Sequence, residues 1–185
     1  MKKYELTEET FTVFGKTLYR IRAVRDFGSV KTGEFGGYIE KEENLSHFGD
    51  AWVYGNAKVS GDARVSGNAW VYGNAKVSGD ARVSGNAWVY GNARVSGNAW
   101  VYGNAEVFNT RHFFVQGPIG SRDGYVTFYR TKDDTVEVRC GCFSGSLQEF
   151  VNQVEETHGG SRYEKEYKLA AELAKVCIRL EGESR

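Results

Sequence analysis

A period of six governs the apolar and polar positions between Gly49 and Phe108. Each of ten consecutive hexads begins with glycine and asparagine or aspartate, continues with alanine, and places valine two residues after the alanine. In a strand, residues two apart point to the same side, so alanine and valine share one inward face. Gly-Asn and Gly-Asp tolerate positive φ, so each pair predicts a turn. The pattern predicts a narrow three-sided prism whose core arises from stacked coils.

Three hexads complete one turn of such a prism, so side chains eighteen residues apart are expected to stack in columns on one outer face. One face carries aromatic residues and the other two carry basic residues. The columns are Trp52, Trp70 and Trp88 with Tyr54, Tyr72 and Tyr90; Lys58, Lys76 and Arg94; and Arg64 and Arg82. Trp100 follows Trp88 by only twelve residues, so Trp100 and Tyr102 are predicted on the arginine face.

The flanks predict a different structure on either side of the array. Three regions are expected: residues 1–36 as an N-terminal β-hairpin and loop, 37–114 as the β-helix with its regular hexads at 49–108, and 115–185 as a small C-terminal domain. In the first, strand-like runs over 11–14 and 17–24 flank a turn at Gly15. Before the array, Ile39 and Leu45 are predicted at the alanine position of two degenerate hexads, which form an imperfect first coil.

The C-terminal region predicts a ββαα unit, so the fold class is mainly β with a small α+β domain. Two strand-like runs, Tyr125–Thr131 and Thr135–Cys142, predict a second hairpin. Ser146 and Glu149 have the spacing of a capping box, which predicts that a helix begins there. A second helix is predicted from about Arg162 to Leu180. Its apolar stripe is predicted to be Tyr163, Tyr167, Ala170, Leu173, Cys177 and Leu180.

The hexads resemble those of the hexapeptide-repeat superfamily, which implies a left-handed parallel β-helix and favours a homo-oligomer, most often a trimer. The flanking run KYELTEET…GEFGGYIEKEENLSHFGD, joined to these hexads, is similar to uncharacterised bacterial and prophage proteins described as hexapeptide transferase-like. That likeness suggests a phage-encoded protein acting in a bacterial host cell. Since one fold hosts many functions, it names no chemistry.

The composition of the chain limits the classes of partner that it is expected to bind. The chain has 24 basic and 24 acidic side chains, so no net charge attracts long nucleic acid or an anionic membrane. The start MKKYELTEET has no apolar stretch, and no run of about eighteen apolar residues occurs, so neither a signal peptide nor a spanning helix is expected. Cys140, Cys142 and Cys177 are too few and unsuitably spaced for a disulfide framework or a metal site. A reducing cytoplasm is the predicted location, and no cofactor is expected.

The histidines weigh against catalysis. Acyltransferases of the resembled superfamily generally use a histidine base beside acyl-CoA, yet the hexads contain no histidine. His112 and His47 flank the array and are the bases that an acyltransferase would have to use. His47 is predicted at a valine position, as a buried cap residue, and His158 in a turn that ends a helix. An enzyme is therefore the less favoured hypothesis.

The outward aromatic residues carry more functional information. Exposed apolar patches of several hundred Å² usually mark an interface, and tryptophan and tyrosine dominate binding hot spots. The predicted interface residues are Trp52, Tyr54, Trp70, Tyr72, Trp88, Tyr90, Trp100 and Tyr102. The alternatives are a seam between subunits, a face covered by the chain's own C-terminal helices, a surface for a protein partner, and a platform for nucleobases or sugars.

A candidate pocket is expected where the prism meets the C-terminal domain. The Gly-rich run 116–124 could cradle an anion with backbone amides, and the start of the first helix is a second natural anion site. The predicted ligand-binding residues are Gly120, Ser121, Arg122, Ser144 and Ser146. The alternative is a plain linking loop. The leading hypothesis is a non-enzymatic binding or scaffold protein that acts on a host factor or sequesters a small anionic, nucleotide-like ligand. The rival is a coenzyme-A-dependent acyltransferase.

Overall fold

An antiparallel hairpin precedes the array in the computed structural model, which describes residues 2–13 and 15–181. Strand β1 (Tyr4–Val13) pairs with β2 (Lys16–Ala23), and β3 (Phe35–Ile39) joins the other edge of β2. Gly15 has a φ of 75° in the turn, which explains why glycine is needed there. The predicted hairpin is confirmed, except at residue 14, which lies outside the described residues.

Ten two-residue strands form the prism, and each holds the outward residue and the valine of one hexad. They are β4 (Trp52–Val53), β5 (Lys58–Val59), β6 (Arg64–Val65), β7 (Trp70–Val71), β8 (Lys76–Val77), β9 (Arg82–Val83), β10 (Trp88–Val89), β11 (Arg94–Val95), β12 (Trp100–Val101) and β13 (Glu106–Val107). Three parallel stacks result, with the orders β4-β7-β10-β13, β3-β5-β8-β11 and β6-β9-β12. The predicted columns are confirmed, including the shift that pairs Trp100 with Arg82. The left-handed sense of the coil stays a prediction.

The coils are joined by backbone hydrogen bonds between residues seventeen apart. The amide of Trp70 donates to the carbonyl of Ala87 over 2.9 Å, and the same relation recurs along every face. The alanines and valines of the hexads are at most 1% exposed, so they form the core. At the corners, a Cβ on Gly85 would lie 2.7 Å from the amide nitrogen of Gly103, and φ is 72°, so the stacked turns need glycine.

At the N-terminal end, side chains replace the coil that would otherwise supply donors. The ammonium of Lys3 donates to the carbonyl of Ala51 over 2.6 Å and to that of Gly49 over 3.2 Å. The amide of Asn44 donates to the carbonyl of Ala63 over 2.8 Å. Both side chains are fully buried. Together they satisfy carbonyl groups that would cost free energy if left unpaired.

The imperfect first coil is present, but its register differs from the prediction. Ile39 pairs with Val59, and Leu45 forms a bridge with Val65, so both residues occupy the valine position and the predicted alanine position is wrong. Gly37 lies where the alanine would be. Glycine is needed there because a Cβ would approach the carbonyl oxygen of Ala57 at 2.6 Å. A short 3-10 turn at Glu42–Asn44 separates the two segments.

The C-terminal domain is an antiparallel sheet covered by two helices. Its elements are β14 (Phe113–Ile119), β15 (Gly124–Arg130), β16 (Val136–Cys140), β17 (Phe143–Ser146), α1 (Leu147–His158) and α2 (Arg162–Cys177). The four strands lie side by side in sequence order. The predicted ββαα unit contained the two central strands, β15 and β16, and lacked the edge strands β14 and β17. Strand β14 was missed because Gly117 and Pro118 indicate a loop; a register shift between Gln116 and Ile119 accommodates them at the sheet edge.

The helices partly follow the prediction. Ser146 caps α1, since its hydroxyl accepts from the amide of Glu149 over 3.2 Å. The second helix ends at Cys177 rather than near Leu180, and its buried face differs from the predicted stripe. It packs through small residues, and Leu173 is 46% exposed. The residues that α2 and its end bury are Ala170, Ala171, Ala174 and Ile178. No helix among residues 2–13 and 15–181 is long and apolar enough to cross a bilayer.

The sheet closes the C-terminal end of the prism through β15. The hydroxyl of Thr127 accepts the backbone amide of Trp100 over 2.9 Å. The guanidinium of Arg130, only 3% exposed, bonds to the carboxylates of Glu106 at 3.0 Å and Asp134 at 2.7 Å. The third guanidinium nitrogen of Arg130, Nη2, lies 3.2 Å from a carboxylate oxygen of Glu181, so the segment after α2 joins the same cluster.

We predict that Lys3→Met lowers the free energy of unfolding by about 1–3 kcal/mol, because two carbonyl groups lose their donor. Burial lowers the pKa of Lys3 from 10.5 to about 8, so the unfolded chain binds more protons between these pH values. The advantage of the parent protein over Lys3→Met should therefore grow as pH rises from about 8 to 10.5. Urea titrations across this range measure it, with the exposed Lys76→Met as control. A difference independent of pH would contradict the assigned burial.

Replacing Arg130 by methionine is expected to lower the free energy of unfolding by about 3 kcal/mol, because Glu106 and Asp134 lose their cation at a partly buried junction. The matched control is Arg64→Met, an exposed arginine of the prism that should change stability by less than about 0.5 kcal/mol. Urea denaturation followed by circular dichroism measures both. Equal effects of the two substitutions would show that the Arg130 cluster does not hold the domains together.

Candidate functional site

A cavity of about 900 Å³ lies between the arginine face of the prism and the C-terminal domain. Strands β9 and β12 supply one wall, the two hairpin turns of the sheet supply the sides, and α1 and α2 supply the wall opposite the prism. Its aromatic lining residues are Trp100, Tyr125, Phe143, Phe150 and Tyr167. Its charged and polar lining residues include Asp80, Arg82, Asn98, Ser121, Arg122, Gln153, Thr157 and His158. The site thus combines an aromatic surface with two guanidinium groups.

The prism wall depends on the one-hexad shift at Trp100. Because Trp100 stacks above Arg82 in the same column, the guanidinium carbon of Arg82 lies 4.8 Å from the centre of the Trp100 ring. Arg139 approaches the same ring at 5.6 Å from strand β16. These cation–π contacts hold the Arg82 side chain against an aromatic surface and restrict its rotamers.

The turn between β14 and β15 is fixed against α2. The amide of Gly120 donates to the carboxylate of Glu166 over 2.7 Å, and the hydroxyl of Tyr167 occupies the space that a Cβ on Gly120 would need. The φ of Gly120 is 74°. Glycine is therefore required both by the backbone conformation and by the space that Tyr167 occupies. This turn carries Ser121 and Arg122 to the rim of the cavity, where both are exposed.

The helix wall combines apolar side chains with the polar residues Gln153, Thr157 and His158. Phe150 is 3% exposed and Val154 5% exposed, so they form the floor of the cavity. Burial raises the pKa of the Tyr167 hydroxyl to about 12, and burial also raises the pKa of the Cys140 thiol. Both groups therefore stay protonated at neutral pH. The ring of His158 stacks on Tyr167 with centroids 5.7 Å apart.

The two arginines at the rim have no acidic partner among the residues that the structure describes. Within those ranges, no carboxylate oxygen lies within 4.0 Å of a guanidinium nitrogen of Arg82 or Arg122. Asp80 also lines the cavity but makes no such contact. Both guanidinium groups are exposed to solvent beside an aromatic surface, so each can bind an anion from solution.

The structure separates the predicted ligand-binding residues. Ser121 and Arg122 line the cavity, whereas Gly120 contributes an amide that Glu166 already occupies. Ser144 and Ser146 belong to β17 and are not among the lining residues. The amide of Ser146 donates to the carboxylate of Glu149 over 2.8 Å. The run 116–124 contains the end of β14 and the turn to β15 rather than a loop, and an anion cradle there stays a prediction. Sequence reasoning missed the aromatic lining because five separate elements supply its rings.

The two histidines proposed as bases lie outside the lining of the cavity. His112 is 6% exposed, meets the Phe108 ring edge-on at 4.1 Å, and has its pKa lowered to about 4 by burial. His47 lies at the other end of the prism, where its ring stacks on Tyr4 at 4.4 Å. It does not take a valine position, because Leu45 does. His158, expected in a helix-ending turn, is the last residue of α1 and lines the cavity.

The aromatic columns are only partly accessible. Trp52 is fully buried under the N-terminal segment, with the Phe27 ring 5.2 Å away, so this position is unavailable to a partner. Tyr72 and Tyr90 stack in parallel at 4.8 Å. Trp88 is 49% exposed. Tyr54 and Tyr102 are also exposed, Trp70 is half-buried, and Trp100 lines the cavity. An interface on the exposed members, and the oligomeric state, stay predictions.

Among residues 2–13 and 15–181, no group of three or more histidine, cysteine, aspartate or glutamate side chains is placed to hold a metal ion. Cys140, Cys142 and Cys177 are free thiols, and the first two lie at the hairpin turn that lines the cavity. The described residues therefore offer the cavity's arginines, aromatic rings and histidine as the groups that can contact a ligand.

Comparison with known proteins matches the repeats. A family model described as YdcK Beta solenoid repeat matches residues 57–73, 75–91 and 87–103. A curated protein of Escherichia coli (strain K12), described as "Uncharacterized acetyltransferase YdcK", is 33% identical over 84 residues, which cover 37% of this chain and 26% of that protein. The chain thus spans about a quarter of the length of this relative.

Proposed function

This chain belongs to the hexapeptide-repeat β-helix family, and from that premise we propose that it is a binding protein that holds a small organic anion in the cavity between prism and C-terminal domain. One observation carries the proposal: Arg82 and Arg122 reach the rim of an aromatic cavity without a carboxylate partner within 4.0 Å among the described residues. A guanidinium presents a planar fork of donors that matches a carboxylate or phosphate.

Size and shape agree with this role. A cavity of about 900 Å³ falls within the range of small-molecule sites, which are mostly apolar with a few placed polar groups. The prism supplies a rigid wall because each coil is hydrogen-bonded to the next. The nucleotide-like ligand expected from the sequence is one member of the class of organic anions. A phage origin and action on a host factor stay hypotheses.

We predict that Arg122→Gln and Arg82→Gln each weaken binding of an anionic ligand about tenfold, because each removes a charge-assisted hydrogen bond at an exposed rim. Isothermal titration calorimetry with benzoate, naphthalene-2-carboxylate, AMP and acetyl-CoA provides the measurement. Arg64→Gln is the matched control, since Arg64 lies in the same column as Arg82 but does not line the cavity. Binding of no anion in the panel, or equal losses in Arg64→Gln, would contradict the proposal.

A second candidate function is acyl transfer from coenzyme A. Two observations favour acyl transfer: the Escherichia coli relative is described as an acetyltransferase, and His158 lines the cavity. If acetyl-CoA is consumed, His158→Asn should abolish turnover while leaving the unfolding midpoint unchanged. Release of free coenzyme A, measured with amine and alcohol acceptors, distinguishes the functions. The binding proposal expects no turnover; turnover that His158→Asn abolishes would replace it with the transferase.

A further inference from the structure

The cavity has an apolar floor and a cationic rim. Phe150 and Val154 at the floor are nearly fully buried, whereas Arg82 and Arg122 at the rim are exposed to solvent. The half-buried ring of Phe143 lies 5.5 Å from the ring of Phe150, measured between centroids. A ligand that fills this space must bury an apolar body at the floor and keep its charge at the rim. Burial of apolar surface supplies the attraction, and the guanidinium groups orient the ligand.

Two backbone amides that could contact a phosphate are already occupied. The amide of Gly120, in the turn beside the cavity, donates to Glu166 over 2.7 Å. At the start of α1, both the amide and the hydroxyl of Ser146 donate to Glu149, each over 2.8 Å. These two amides are therefore not free to cradle a phosphate. The guanidinium side chains of the rim are the charged donors that remain for an anion.

The charge at the rim fits one negative charge better than two. The lining contains Arg82 and Arg122 against Asp80, so with histidine counted as neutral the lining itself has one formal positive charge; Arg139, against the Trp100 ring at 5.6 Å, does not line the cavity. A carboxylate balances it. A phosphate monoester carries about −1.5 to −2 at neutral pH and would leave negative charge beside Asp80. The rim is solvent-exposed, so screening reduces this preference without reversing it.

The floor also discriminates against nucleotides. A nucleobase and a ribose present donors and acceptors on most edges, and these groups lose their hydrogen bonds to water when they are buried. Phe143, Phe150 and Val154 offer no side-chain partner in return, and the polar groups beside them are limited to Gln153, Thr157, His158 and the Tyr167 hydroxyl. An unsubstituted aromatic ring has no such cost and gains edge-to-face or offset contacts with the aromatic lining.

We infer that the ligand is an aromatic monocarboxylate, with its ring against the floor formed by Phe150 and Val154 and its carboxylate at the rim formed by Arg82 and Arg122. This assignment rests on the proposed binding function and narrows the ligand class that the sequence indicated. A carboxylate can accept two parallel hydrogen bonds from one guanidinium, which adds orientation to the hydrophobic contact.

The decisive experiment compares three probes by isothermal titration calorimetry: naphthalene-2-carboxylate, its neutral isostere naphthalene-2-carboxamide, and AMP. We expect the carboxylate to bind at least about tenfold more tightly than the other two, as one charge-assisted hydrogen bond would give. In Arg122→Gln the advantage of the carboxylate over the carboxamide should shrink about tenfold, because only Arg82 remains to bind the charge. In Arg64→Gln the tenfold difference should persist, because Arg64 does not line the cavity.

Location of the probe is tested in the same protein by thiol labelling. Cys142 is exposed at the cavity, whereas Cys177 at the end of α2 does not line it. Bound naphthalene-2-carboxylate should slow alkylation of Cys142 by iodoacetamide and leave alkylation of Cys177 unchanged, as followed by peptide mass spectrometry.

The outcomes separate this inference from the proposed function. If AMP binds more tightly than the carboxylate and Arg122→Gln weakens it, the monocarboxylate assignment is wrong while the cavity remains an anion site. If the carboxamide equals the carboxylate in the parent protein, the arginines do not select charge and both proposals fail. If no probe binds and Cys142 stays unprotected, both fail as well.

Discussion

The hydrogen bonds between successive coils are the interaction on which the rest of this structure depends. A single hexad buries nothing by itself, and most of its backbone hydrogen bonds go to the coils before and after it. Stacking buries the inner side chains and pairs the backbone groups inside the prism. The coil at each end lacks a neighbour on one side, so its side chains and backbone groups need other partners. At the N-terminal end the ammonium of Lys3 and the amide of Asn44 supply donors that a further coil would have supplied. At the other end Thr127 accepts the amide of Trp100.

The same ladder makes the outer columns predictable and lets one irregularity create a site. Every outward residue must lie above the residue eighteen positions earlier, so Trp100, which follows Trp88 by only twelve residues, lies on the arginine face and not on the aromatic face. There Trp100 meets Arg82 under the C-terminal sheet. Without the shift, the column would continue with a small or charged side chain, and the prism wall of the cavity would lack its aromatic surface.

Sequence reasoning succeeds where the local pattern alone determines the structure. The hexads, their columns, the N-terminal hairpin and the capping box at Ser146 are of this kind. It fails where tertiary contacts decide. Ile39 and Leu45 take the valine position because neighbouring coils set their register, and β14 forms despite Gly117 because β15 offers an edge to pair with. The cavity could not be predicted, since the prism, two hairpin turns and two helices must meet before it exists.

The similarity to a protein described as an acetyltransferase concerns the repeats and does not extend to the whole cavity. The family model matches only hexads between residues 57 and 103, whose inner alanines and valines specify the prism and perform no chemistry. Of the cavity's groups this stretch contains Asp80, Arg82, Asn98 and Trp100, while Arg122, Phe150 and Tyr167 belong to the C-terminal domain. In the proposed binding function both walls together select the ligand. Since the matched repeats supply only the prism wall, the specificity of that proposed function depends on the C-terminal domain.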